Sequence, residues 1–236
     1  MSAVRKLAVI GDGQMGNAVA ELARANGWEV VATIGMEGNE NGNGITRESL
    51  HGAQVAIEFT EPAAAVANVS ACLRAECPVV VGTTGWHDAL PAMEKLARES
   101  NSALLWSSNF STGVNIFLEI VRRAGELLKE SPGFEPRIKE THHTRKKDAP
   151  SGTAIAIERA ARETLGREIP IDSVREGDVV GTHELTFDSD FEQIALTHTA
   201  HDRRVFAEGA LRAAAWLIGK KGVFTMNDVL GLRSAK

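Results

Sequence analysis

Short apolar runs alternate with helically spaced stretches through the first half of the chain. Leu7-Ala8-Val9-Ile10 runs straight into Gly11-Asp12-Gly13-Gln14-Met15-Gly16. Residues 17–26 then place Ala18, Val19, Leu22 and Ala23 at helical spacing, Gly27 closes that stretch, and residues 28–34 form a second apolar run. Strand, tight turn, helix, strand is the opening of a parallel βαβ unit. The stretch 35–44 holds four glycines and three asparagines and is expected to be a mobile loop. Alternation resumes with a strand over 54–59, a helix opened by Pro62 and running to about residue 75, and a buried strand over 78–81 that ends in Gly82-Thr83-Thr84-Gly85. An amphipathic helix over 88–100 and a strand over 103–106, ending in Ser107-Ser108-Asn109-Phe110, complete the pattern. Such regular alternation predicts a doubly wound parallel sheet.

The pattern changes after Ser111. A long striped helix is expected over 114–129, a strand over 134–143, a helix over 151–165, and β structure over 178–188 and 191–199 about a tight Asp-containing turn. The tail reads as helical again over 205–218 and 227–232, and is expected to return to the first domain. The fold class expected is α/β, a Rossmann-type doubly wound parallel sheet plus a second α+β domain with a mixed, mostly antiparallel sheet. The domains expected are 1–111 with 204–236, and 112–203.

Composition narrows the function classes. A chain of 236 residues can bury a full core as one large or two small domains, and 43% apolar with 24% charged residues is ordinary for a globular protein. A net charge of −5 argues against a general nucleic-acid binder while leaving room for a local basic pocket. Cys72 and Cys77 fall near one helix–strand junction with no His-rich or Cys-rich partner close by, so two reduced thiols are expected and no metal site. The N-terminal residues run directly into a strand, without the apolar region of a signal peptide, and no apolar run approaches membrane-spanning length. A cytoplasmic protein with no membrane partner is expected.

Gly11-x-Gly13-x-x-Gly16 lies after a strand and at the start of a helix, the context in which three glycines serve a tight turn, close approach to a pyrophosphate, and helix–strand packing. An ordinary tight βα turn is the alternative. The second strand ends Ala32-Thr33-Ile34-Gly35-Met36-Glu37, without the acid that usually binds the ribose hydroxyls, and no Arg is placed to meet a 2′-phosphate. NADH and NADPH both remain open. Gly82, Thr83 and Thr84 end another strand on the carboxyl side, where glycine permits close approach and hydroxyls can reach a ribose or nicotinamide, unless they merely form a capped turn. Ser107, Ser108, Asn109 and Phe110 carry the same argument with less force.

The segment 140–154 concentrates chemistry. His142, His143, Arg145, Lys146 and Lys147 pack two imidazoles and three cations into six positions, and Pro150-Ser151-Gly152-Thr153 then starts a helix. Such a loop can hold a dianion and hand it a proton, and a helix N-terminus suits carboxylate. On an extended strand His142 and His143 face opposite sides, so one can donate a proton while the other binds an anionic group. Asp148 or Ser151 can cap the helix, Gly152 leaves room for a ligand, and Thr153 adds a hydroxyl. A solvated basic loop with simple capping is the alternative. His198 and His201 are assigned no chemistry, and His51, His87 and His183 read as surface or packing residues.

These residues resemble the dihydrodipicolinate reductase (4-hydroxy-tetrahydrodipicolinate reductase) family over nearly the whole chain. The signature is the run from His142 to Ala154, supported in order by Gly82-Thr83-Thr84-Gly85, Asn109-Phe110-Ser111, Gly177-Asp178-Val179-Val180-Gly181-x-His183 and Phe206-Ala207-x-Gly209-Ala210. By resemblance, His142 is the proton donor and Lys146 its partner acid. His143, Gly152 and Thr153 contact substrate carboxylates. Gly11, Asp12, Gly13, Gln14, Met15, Gly16, Gly35, Gly82, Thr83, Thr84, Ser107, Ser108, Asn109 and Phe110 form the site for NADH or NADPH. The resemblance implies a dinucleotide-binding domain over 1–111 and 204–236 and a substrate-binding and oligomerisation domain over 112–203. It also implies a homotetramer, a small cyclic dicarboxylate substrate and a place in lysine and diaminopimelate synthesis. Two departures concern the cofactor: the first glycine loop is one residue shorter than the commoner form, and Gly35-Met36 replaces an acidic and basic pair. Another two-domain Rossmann dehydrogenase, acting on an amino acid or polyol, is the competing enzyme reading, and a nucleotide-sensing module the non-enzyme one.

Overall fold

Strands buried on both faces carry the first sheet of the computed structural model, which describes residues 4–131 and 133–232. The chain divides into two units, Met1–Phe110 with Phe206–Lys236, and Ser111–Val205. In the first unit lie β1 (Lys6–Ile10), β2 (Glu29–Ile34), β3 (Val55–Glu58), β4 (Val79–Val81), β5 (Ala103–Trp106) and, near the C-terminus, β10 (Gly222–Thr225). They form one parallel sheet in the order β10-β5-β4-β3-β1-β2. Side chains alternate between two cores. Val9, Ile57 and Leu105 pack beneath α1 (Gln14–Ala25), α6 (Arg204–Leu217) and α7 (Met226–Leu230). Ala8, Ile10, Ala56 and Leu104 face α2 (Pro62–Arg74) and α3 (Leu90–Glu99). Burial on both faces is why these strands read as continuous apolar runs, each large side chain contributing about 1.5–3 kcal/mol. Because β2 and β3 flank β1 on opposite sides, the winding reverses there and opens a crevice at the carboxyl ends.

The second unit holds α4 (Thr112–Leu128), β6 (Glu135–His142), α5 (Gly152–Leu165), β7 (Ile171–Arg175), β8 (Gly181–Asp188) and β9 (Gln193–Ala200). Its sheet runs β7-β6-β8-β9, with β6 and β7 parallel and the other pairs antiparallel. Alternate residues of β6 and β8 are buried. Ile138, Leu185 and Phe187 pack against Phe117 and Val121 of α4 and Ile157 and Ala161 of α5. One covered face and one open face produce that alternation. The fold class is therefore a doubly wound parallel sheet plus a mixed, mostly antiparallel one, as expected from the sequence.

Several details differ from the sequence expectation. α1 starts at Gln14 rather than at residue 17, because the glycine turn itself forms the helix entry, with Asn17 N donating to Gly13 O at 3.0 Å. The strands β7 and β10 are not predicted by the apolar pattern; each lies at a sheet edge and offers only a few half-buried side chains. β8 begins at Gly181, later than expected. The stretch 35–44 is not a free loop. Asn39 is buried, its Nδ2 donates to Asn68 Oδ1 at 2.9 Å, and its Oδ1 accepts from Gly44 N at 3.1 Å. Asn68 Nδ2 in turn donates to Thr60 Oγ1 at 3.3 Å. Asn68→Leu severs this tether and leaves Asn39 with a buried unpaired donor. Urea unfolding is expected to show a loss of about 1–3 kcal/mol, and hydrogen exchange should show faster exchange at the Gly44 amide.

Candidate active site

In the first unit the three glycines of the opening turn have three different surroundings. Gly11 has φ +109°, and a Cβ there would strike the carbonyl of Phe59. A Cβ on Gly16 would strike the carbonyl of Gly11. These two are glycine because the protein leaves no space. Gly13 is different: its φ is −75°, and no protein atom lies within 4 Å of where a Cβ would stand. Nothing in the chain requires its bareness, so the open side suits an incoming ligand at the N-terminus of α1. Gly13, Gln14 and Met15 line a cleft of about 360 Å³ together with Phe59, Thr60, Pro62, Gly82, Thr83 and Thr84.

The walls of that cleft are braced from behind. Thr83 is buried, its Oγ1 accepts from Thr60 N at 2.8 Å, and its carbonyl accepts from Trp86 Nε1 at 2.8 Å. Thr60 Oγ1 donates to the carboxyl of Glu58, which has no exposed surface and whose pKa is pushed up by burial against hydrogen bonds from Thr60, Thr83 and Asn68. Gly35 lies beside Asp12 at the end of β2. Ser107 Oγ donates to Asn109 O at 2.7 Å, Ser108 is exposed, and Phe110 is buried with its ring edge-on to Phe59 at 6.2 Å. Thus the structure gathers Gly13, Gln14 and Met15 with Gly82, Thr83 and Thr84 around one cleft, while Gly11, Asp12, Gly16, Gly35 and Ser107–Phe110 lie outside its lining, Phe110 packing edge-on to Phe59.

The second unit gathers the other set. On β6 the buried parity brings Glu140 and His142 to the same face, and His143 takes the other parity, half-buried. Glu140 has no exposed surface. Its Oε1 accepts from Ser151 N at 3.1 Å and from Arg175 Nη2 at 3.0 Å. Burial alone would raise its pKa, but hydrogen bonds from Ser151, Ser173 and Arg175 outweigh that and hold it down at about 2. Its Oε2 lies 2.7 Å from His142 Nδ1, off the line of an ordinary N–H···O bond, so the contact becomes a charge pair once the imidazole is protonated. Burial lowers the pKa of His142, Glu140 raises it, and Lys146 and Arg175 lower it again, with a net downward shift. His183 crosses His142 edge to face at 5.1 Å, and its Nε2 lies 3.2 Å from Ser151 Oγ. Ligand atoms of Glu140, His142 and His183 lie within 4.8 Å of one another, a grouping that could hold one cation.

Cations and a helix start complete this cluster. Lys146 Nζ donates to both oxygens of Asp148, at 2.8 and 2.9 Å, while Arg145 pairs with Asp178 and Lys147 is exposed. Arg175 also donates to Asp148 O at 2.6 Å. Ser151 caps α5 by accepting from Ala154 N at 3.1 Å. Gly152, its first residue, has no protein atom within 4 Å of a would-be Cβ, and Thr153 is half-buried beside it. His142, Lys146, Ser151 and the start of α5 thus form one buried-to-open array able to bind an anion and move a proton.

Comparisons with known proteins match this layout. The family model for the N-terminus of dihydrodipicolinate reductase matches residues 5–110, and that for its C-terminus matches residues 113–230. The chain belongs to the dihydrodipicolinate reductase family. A 4-hydroxy-tetrahydrodipicolinate reductase of Christiangramia forsetii is 35% identical over 95% of this chain and 97% of its own. One from Methanoregula boonei is 44% identical over 75% of each. The dipicolinate-bound dihydrodipicolinate reductase of Paenisporosarcina sp. TG-14 shares the fold, with a TM-score of 0.79 at 22% identity, over 96% of this chain and 99% of that one.

For this dihydrodipicolinate reductase family member, sequence reasoning missed three residues of the cluster. In the sequence Glu140 reads only as the start of the basic segment, Arg175 falls on a strand that the apolar pattern does not predict, and His183 reads as a surface or packing residue. Parity along β6 was the signal for Glu140. The buried, neutral state of His183 has a measurable consequence. Burial first, then the charge of His142, lowers its pKa to about 4 from 6.5. The unfolded chain therefore takes up a proton that the folded chain refuses between those values. Stability is complete above pH 6.5 and falls as pH drops towards 4, by an amount on the order of 3 kcal/mol. Denaturant midpoints measured across that range should fall in the wild type and fall less in His183→Gln.

Proposed function

We propose that this chain reduces 4-hydroxy-tetrahydrodipicolinate to tetrahydrodipicolinate, with NADH or NADPH consumed, one proton taken up and one water released. The observation that carries the reading is the buried Glu140–His142 pair set beside Lys146 at the open start of α5, in a chain that matches the reductase family in both halves. The relatives carry the same activity in their names. The first unit fits a dinucleotide: Gly13 is bare on its open side, and the cleft behind it is lined by backbone and hydroxyls. Gly11 to Gly16 and Gly82 to Thr84 would hold the cofactor, with Ser107 to Asn109 at the neighbouring strand end. The cofactor, when bound, supplies the hydride.

The chain's own residues manage charge and protons. A cyclic dicarboxylate brings two negative charges, which Lys146, His143 and the Gly152–Thr153 helix start would hold. At rest His142 is driven towards its neutral form by burial and by the cations Lys146 and Arg175. Arrival of a dianion offsets those cations, so the His142 pKa rises and the imidazole, backed by ionised Glu140, loads a proton. Protonated His142 then stabilises the negative charge that develops on the ring as hydride arrives, and Lys146 assists. Unit Ser111–Val205 is read as the substrate domain and the remainder as the cofactor domain.

We assign the protein to the cytoplasm, on its two buried free thiols, and to lysine and diaminopimelate synthesis, on the reaction. A homotetramer built on the second sheet is supported by β9, an open-faced edge strand flanked by Phe191, which leaves 98% of its surface exposed. No helix among the described residues is long and apolar enough to cross a membrane.

The test is loss of reduced-cofactor absorbance with the freshly generated condensation product of pyruvate and aspartate semialdehyde. Turnover with that product, and none with amino acids or polyols plus oxidised cofactor, is expected; the reverse would sink the reading. His142→Gln is expected to lower kcat by about 10²–10⁴-fold with little change in cofactor Kd, and unchanged turnover would remove His142 from the mechanism. Lys146→Ala should also collapse kcat, and an effect on KM alone would reassign it to binding.

A further inference from the structure

The second strand lacks the acid that commonly receives the adenosine ribose of a dinucleotide, and the structure shows what stands there instead. β1 and β2 run in register to Ile10 and Ile34, and Gly11 N extends the ladder by donating to Ile34 O at 2.7 Å. That pairing sets Asp12 directly beside Gly35. A Cβ on Gly35 would lie 2.6 Å from Asp12 Cγ and 3.1 Å from its Oδ1. The φ of Gly35 is not positive, so its backbone does not ask for glycine. The exposed Asp12 carboxylate instead occupies the volume in which a strand-end side chain would begin, and a larger residue at 35 would turn it aside.

We infer that Asp12 takes over the missing acid's task, accepting hydrogen bonds from the adenosine ribose hydroxyls, and thereby selects NADH over NADPH. The inference rests on the reductase reading for the place of the dinucleotide. Two further observations support it. The turn 11–16 and the loop 35–44 carry Asp12, Glu37 and Glu40 and no Lys or Arg. Arg47, the first cation after the loop, is paired with Glu76. A 2′-phosphate would therefore meet carboxylates without a counter-charge from either segment. Met36, next to Gly35, leaves 80% of its surface bare, an apolar face suited to a purine ring. The tether from Asn39 through Asn68 holds this loop in place.

The experiment is calorimetric titration of the full chain with NADH and with NADPH, alongside kcat/KM for each. The wild type is expected to favour NADH by about tenfold or more, the worth of a charged hydrogen bond. Asp12→Ser and Asp12→Asn should bring the two cofactors to within about threefold, weakening NADH and tightening NADPH. The double variant Asp12→Ser/Gly35→Asp, which moves the acid from the turn to the strand end, should restore the NADH preference. A wild type that favours NADPH overturns the inference, as does a ratio unchanged in both Asp12 variants. Either result with reductase turnover intact leaves the reductase reading standing, whereas a wild type that binds neither cofactor and reduces nothing overturns both.

Discussion

Glu140 is a carboxylate with no exposed surface, on a strand whose alternate residues are otherwise core. A buried charge of that kind is tolerable only when its hydrogen bonds are supplied by the fold. Here they come from three residues on two elements: the amide of Ser151 at the cap of α5, Ser173 on β7, and the guanidinium of Arg175 at the end of β7. The anion therefore fixes where α5 begins relative to β6, and with it where Gly152 and Thr153 present the helix start. It also sets the field felt by His142. The stability of the second unit and the electrostatics around His142 hang on the same carboxylate.

The first unit solves a different problem by subtraction. Two of its turn glycines are forced by close backbone approach, and the third is bare where the protein has nothing to place. Behind the cleft, Glu58, Thr60, Thr83, Asn68 and Asn39 form a line of hydrogen bonds that joins the loop after β2 to the turn after β4. The two ends of a bound dinucleotide would rest on surfaces that share this one brace.

Much of this was legible in the chain itself, for physical reasons. Strands covered on both faces must be apolar throughout, so β1, β3, β4 and β5 announce themselves. Edge strands have no such obligation, which is why β7 and β10 passed unread. The 140–154 segment was visible because its chemistry is local. Arg175 and His183 join it only through strand pairing across β7, β6 and β8, information that no local window holds. Asn39 misled for the opposite reason: glycine and asparagine are common in loops, and only a distant partner on α2 reveals that one of them is an anchor.

The return of the tail has a consequence for biosynthesis. The sheet face that packs on α6 and α7 belongs to strands made early, yet those helices span Arg204–Leu217 and Met226–Leu230. On the ribosome, that face of the sheet has α1 but neither α6 nor α7 to cover it while the whole of the inserted second unit is translated. That unit, by contrast, is contiguous from Ser111 to Val205 and has its own core, so it can close as soon as it emerges. Helices translated after the second unit thus seal strands made before it.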